Sequence, residues 1–94
     1  MYLDENYNQT AYITISNPEE AFIDILDEFP LLVEKDLDYV DCTIKDMFPT
    51  SISLSLEGNK FDIVEAIGQI IEILISLDIT NFNFTSHTVE HLEG

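Results

Sequence analysis

Residues 51–77 read SISLSLEGNKFDIVEAIGQIIEILISL, and the two halves of this stretch follow different rules. In the first half Ile52, Leu54 and Leu56 alternate with Ser51, Ser53 and Ser55, the period-two pattern of a strand buried on one side. Glu57, Gly58 and Asn59 close that strand. Asn59 then suits a helix cap, with Asp62 three residues on in the capping-box position. Ile63, Val64, Ile67, Ile70, Ile71, Leu74 and Leu77 recur at helical spacing and predict a buried stripe. Gly68 falls inside this helix, where close packing of the helix on a sheet accounts for a residue without a side chain.

Outward from this unit the same two periods recur. Upstream, DYVDCTIKDM (38–47) alternates, with Val40, Cys42 and Ile44 inward and Asp41, Thr43 and Lys45 outward, and FPT (48–50) marks a turn. AYITIS (11–16) is another half-buried strand, with Ala11, Ile13 and Ile15 on its inner side. NPEE (17–20) follows as a helix start, with Asn17 as cap, Pro18 at the first helical position and Glu20 against the positive end of the dipole. Phe22, Ile25, Leu26 and Phe29 share one face of that helix, and Pro30 is expected to end or kink it, although LLVEK (31–35) can continue as another turn. Downstream, ITNFNFTS (79–86) predicts a strand with Phe82 and Phe84 inward. Residues 1–10 and 87–94 read as loose tails on a single domain spanning 1–94.

The element order is strand, helix, strand, strand, helix, strand. Two right-handed crossovers in that order predict an α+β, ferredoxin-like βαββαβ fold: a four-stranded antiparallel sheet with two helices on one face. Its open face is expected to carry Thr14, Ser16, Asp41, Thr43, Ser51, Ser53, Ser55, Asn81 and Asn83.

Composition restricts function more than any motif does. The chain has 94 residues, and 46% are hydrophobic, so it folds rather than forming an acidic disordered tail. It carries 19 acidic residues against three lysines (Lys35, Lys45 and Lys60) and no arginine, for a formal charge of -16. Phosphates are repelled, which argues against direct nucleic-acid binding and against nucleotide chemistry. Tyr12 and Tyr39 are the only aromatic candidates for base stacking on the sheet. No Gly-rich phosphate loop is present. The single Cys42 rules out an internal disulfide and suits a small core position in a cytoplasmic protein. The first ten residues have neither the basic region nor the apolar run of a signal peptide, and an anionic membrane would repel the chain.

Two local patterns point toward metals. HTVEH (87–91) matches H-x-x-E-H; on a helix His87 and His91 would share one face, but a third ligand and a cleft are missing. DLDYVD (36–41) offers Asp36, Asp38 and Asp41 but lacks the glycine bend and final glutamate of a calcium loop. Neither metal nor cofactor is expected, and no residue set suggests an enzyme.

The charge itself is the strongest signal. Nine of the 23 residues in 19–41 are acidic against Lys35 alone. Glu20, Asp24, Asp27 and Glu28 fall at i, i+4, i+7 and i+8 on the expected first helix, and Glu34, Asp36, Asp38 and Asp41 continue the run. Asp62, Glu65 and Glu72 form a similar line on the second. Like charges at i, i+4 destabilise a helix by about 0.2–0.5 kcal/mol per pair, so stability alone does not account for the pattern. Carboxylates spaced about 6 Å apart along such a stripe crudely imitate a nucleic-acid backbone.

In size, charge and lack of catalytic motifs the chain resembles the small acidic inhibitors of phages and mobile elements, the anti-CRISPR and anti-restriction nucleic-acid mimics. The resemblance implies a protein inhibitor whose partner-binding residues are the eight carboxylates Glu20, Asp24, Asp27, Glu28, Glu34, Asp36, Asp38 and Asp41. The implied partner is a basic nucleic-acid-binding protein such as a nuclease or CRISPR effector, met by a monomer or homodimer. An immunity protein for a nuclease toxin uses the same physics. A structural or adaptor subunit that dimerises through its sheet is the reading from a different class.

Overall fold

The computed structural model describes residues 8–91. Four strands, β1 (Asn8–Ser16), β2 (Asp41–Phe48), β3 (Ser51–Asn59) and β4 (Asn83–His91), form one antiparallel sheet in the order β2-β3-β1-β4. Two α-helices, α1 (Glu28–Asp36) and α2 (Lys60–Ser76), join the alternate pairs, so each β-α-β crossover leaves one strand between the two it connects. The architecture is α+β, and the helices share one core with the sheet face they cover.

One-sided burial explains the alternation. Ala11, Ile13 and Ile15 of β1 lie beside Leu56, Leu54 and Ile52 of β3, and all six are buried. α2 lies across β3 and β1, contributing Ile63, Ala66, Ile70, Ile73 and Leu74, while α1 lies against β2 and contributes Phe29 and Val33. Burying each large apolar side chain stabilises the fold by about 1.5–3 kcal/mol. On the open face Tyr12, Thr14 and Ser16 sit between Ser55, Ser53 and Ser51 on one side and His87, Thr85 and Asn83 on the other. Asn81, expected on that face, precedes β4 instead.

The expected first helix is not continuous. Glu20 has φ 58°, a left-handed conformation no α-helix passes through, and only a 3-10 segment (Ala21–Ile25) forms before α1 starts anew at Glu28. Asn17 caps the turn rather than a long helix: its Oδ1 accepts from the Glu19 amide at 2.7 Å and the Ala21 amide at 3.4 Å. Its Nδ2 donates to the Asn81 carbonyl, and its backbone amide donates to Thr50 O at 2.9 Å, so this buried residue links three loops. Pro30 does not stop the helix. It occupies the third position of α1, where the amide it lacks has no intrahelical acceptor.

α2 begins as expected. Asn59 Oδ1 accepts from the Asp62 amide at 2.9 Å, and Asn59 Nδ2 donates to Asp62 Oδ2 at 3.0 Å. It ends in a Schellman motif: the Ile79 amide reaches Leu74 O and the Asp78 amide reaches Ile75 O, both at 2.9 Å, with Asp78 at φ 69°. The buried stripe is rotated from the expected one. Val64 is 65% exposed and faces outward with Phe61 and Ile75, whereas Ala66 and Ile73 turn in. Gly68 is also exposed, and a Cβ built on it meets nothing within 4 Å, so close packing on the sheet is not its role. Gly68→Ala is therefore expected to stabilise the protein by about 1 kcal/mol, the helix-propensity difference, measured by urea denaturation. A loss of stability would show that the outer face of α2 is already in contact with something in solution.

The strands at the sheet margins run further than expected. β1 starts at Asn8, with Gln9 and Thr10 buried, and β4 continues through His87 to His91, so these parts of the expected tails are strand. Residues 1–7 and 92–94 lie outside the described residues. The far half of β4 pairs with β1 through its backbone, while Ser86 and Thr88 on its inner side stay exposed because no helix covers them. His87 and His91 are therefore strand positions four residues apart, about 13 Å between Cα atoms, and not one turn of a helix.

Candidate partner-docking surface

The crossovers bring acidic residues from separate parts of the chain to one end of the sheet. There α1 ends, β2 begins, β3 ends and α2 begins. Asp41, at the start of β2, pairs in register with Glu57 at the end of β3, placing two open-face positions about 5 Å apart on adjacent strands. Asp36 closes α1, Asp38 lies in the loop to β2, and Asp62 and Glu65 occupy the first turns of α2. Tyr39, 38% exposed, stands among them. Its phenol is pushed above its ordinary pKa, first by burial and then by the negative charges of Glu65, Asp62, Asp38 and Asp36.

Beside this cluster a groove of about 490 Å³ separates α1 from β2. Val33, Leu37, Val40, Cys42 and Ile44 form its apolar floor, with Glu34, Asp38 and Asp41 along its margin. A second, more polar hollow of about 330 Å³ continues from it past Asp38, Tyr39 and Asp41 to Glu57 and Gly58. A Cβ on Gly58 would lie 3.3 Å from Val40 Cγ1, so a side chain there would press Val40 aside by a few tenths of an ångström.

The eight expected partner-binding carboxylates thus divide. Glu34, Asp36, Asp38 and Asp41 gather at this end. Glu20, Asp24, Asp27 and Glu28 lie on the turn, the 3-10 segment and the start of α1, near the opposite end, where the Phe22 amide donates to Pro49 O in the β2–β3 turn at 3.2 Å. They form no stripe along one helix, because the left-handed residue at Glu20 and the break at 26–27 change their direction. Sequence reasoning missed Glu57 as a site residue and left Asp62 and Glu65 on a separate helix face. Counting back along the β2–β3 hairpin from its turn finds Glu57, provided one extra residue is allowed. That residue is Lys45, at the register shift between Ile44 and Asp46.

Cys42 lines the groove, and burial pushes its thiol up to about 11. Because the folded value is raised, the thiol form favours the fold. The associated stability is complete below the unfolded thiol's range near 8.5 and is lost as pH climbs from there to about 11. For a half-buried group the loss is on the order of 1–2 kcal/mol, and Tyr39 acts in the same direction. Urea denaturation from pH 8 upward is expected to show a steeper fall for the parent protein than for Cys42→Ala. Parallel curves would remove the burial explanation.

Among the described residues no group of three or more His, Cys, Asp or Glu is arranged to hold a metal ion, and no helix is long and apolar enough to cross a membrane. No protein-family model matches the chain, and no curated protein does. Two solved structures share its fold. One is the de novo designed protein Foldit4, 15% identical, with a TM-score of 0.61 over 87% of this chain and 96% of that one. The other is a protein of unknown function from Nitrosomonas europaea, 12% identical, with a TM-score of 0.65 over 96% of this chain and 94% of that one.

Proposed function

We propose that the protein is an acidic inhibitor that docks on a basic nucleic-acid-binding protein, such as a nuclease or CRISPR effector, and blocks its nucleic-acid site. In this reading it acts in the cytoplasm as a nucleic-acid mimic of the phage anti-defence kind and performs no catalysis. The observation that supports it is the convergence of carboxylates from α1, the following loop, β2, β3 and α2 around Tyr39. Packed on a small rigid fold, they make a dense negative surface of the sort that steers a basic protein into contact. We assign the scaffold to the ferredoxin-like kind on its βαββαβ order and its split crossovers. An immunity protein directed at a nuclease toxin would use the same surface.

The test is capture from host lysate at low salt, followed by competition. The captured protein should bind nucleic acid when free, and duplex DNA or RNA should displace it from the immobilised inhibitor. Elution should also follow rising salt, since exposed charges separated by more than about 8–10 Å are screened near physiological ionic strength. A partner that polynucleotide cannot displace and salt cannot elute would overturn the mimic reading in favour of an adaptor.

A further inference from the structure

We propose that the groove between α1 and the free edge of β2 takes a short extended segment of a basic protein, which adds to the sheet as a fifth strand along Asp41–Ile44. This rests on the reading of the protein as one that docks on a basic partner, and it names the element that is gripped. Three independent features meet there. First, β2 is the margin of the sheet, and among the described residues no strand lies beyond it, so every second residue offers its N–H and C=O outward. Second, the part of that edge from Asp46 on is guarded by the Lys45 bulge, whereas Asp41–Ile44 pairs regularly with β3 and presents neither lysine nor proline. Third, the regular part borders an apolar floor that includes Val33, Leu37 and Cys42.

Side-chain alternation sets the chemistry of the occupant. An added strand would drop every second side chain toward Val33, Leu37, Cys42 and Ile44, which calls for apolar residues. The intervening side chains would emerge on the open face beside Asp41, with Asp38 and Glu57 lining the adjoining hollow, so these positions call for lysine or arginine. A second copy of this chain is a poor occupant because it brings a formal charge of -16 to the same place. A helix could meet the charges but not the free backbone groups of the edge.

The probe is a short blocked peptide of alternating valine and lysine. Its controls are a peptide of the same composition with the valines and lysines in separate blocks, and the alternating peptide with every second backbone amide methylated. The alternating peptide is expected to bind and to slow hydrogen exchange at alternate amides within Asp41–Ile44. Both controls should bind at least about tenfold more weakly. Asp38→Lys with Asp41→Lys should weaken the peptide by a similar factor, while Asp24→Lys with Asp27→Lys should not. Equal binding of all three peptides without protection at β2 would overturn the inference, leaving only bulk attraction. A free protein that sediments as a dimer with these amides already protected would overturn it too, by making a second copy the occupant. A captured basic partner that the groove variants do not weaken would overturn the groove alone and leave the inhibitor reading standing. Peptide binding combined with failed polynucleotide competition would keep the groove and remove that reading.

Discussion

Phe22→Ala will destabilise the protein by about 3–5 kcal/mol, a large share of the roughly 5–15 kcal/mol that holds a small domain together. Phe22 lies in a five-residue 3-10 segment that could pass for a connector, yet its side chain is fully buried in the cluster formed by both helices and the sheet. Removing the ring leaves a cavity that cannot collapse freely, because the segment is held at its start. Asn17 fixes the turn before it, and the Phe22 amide donates to Pro49 O at the β2–β3 turn. The next residue supplies the control. Ile23 is 55% exposed, so Ile23→Ala should change stability by no more than about 0.5 kcal/mol. Urea denaturation of the two variants measures the contrast. If both fall equally, the segment's position against the core is wrong.

The same segment marks where reading the sequence stopped working. β3 and α2 were legible because each buries one face, and burial on one face writes a period into the chain: Ile52, Leu54 and Leu56 every second residue, Ile63, Ile70 and Leu74 at helical spacing. Between 17 and 36 the apolar spacing of Phe22, Ile25, Leu26 and Phe29 also fits one helix, but two shorter helical pieces satisfy it equally. Only backbone facts decide between them, the positive φ of Glu20 and the tolerance of Pro30 in a first turn. Val64 failed for a different reason. α2 also carries Phe61, Val64 and Ile75 outside its buried stripe, so the period identifies a helix without fixing which side meets the sheet. β4 beyond Phe84 carries Val89 as its one apolar residue and is held mainly by backbone pairing with β1, which leaves almost no trace in hydrophobicity. The candidate surface was half legible for a related reason: Asp36, Asp38 and Asp41 adjoin in sequence, while Glu57 and Asp62 reach them only through the strand register and the placement of α2.

Because the carboxylates divide between two ends of the molecule, their contributions can be separated. Reversing Glu34, Asp36, Asp38 and Asp41 to lysine changes the charge by two at each position and takes the net from -16 to about -8. Reversing Glu20, Asp24, Asp27 and Glu28 gives the same total, and no residue in either set is buried. Long-range steering responds to total charge, so both variants should associate more slowly with the captured partner and to a similar degree. Only the first set lies at the proposed contact. It should also speed dissociation and lower affinity by at least about 100-fold, roughly 2.7 kcal/mol, while the second should stay within a few-fold of parent. Folding stability should move the other way. Asp36 sits in the last turn of α1, where a cation suits the negative end of the helix dipole, whereas Asp27 and Glu28 sit at its start, where a cation opposes the positive end. The variant that loses its partner should therefore be the more stable of the two, which removes unfolding as an explanation for the loss. Equal affinity losses in the two variants would place the contact away from the Tyr39 cluster. A greater loss from the second set would assign it to the opposite end of the sheet.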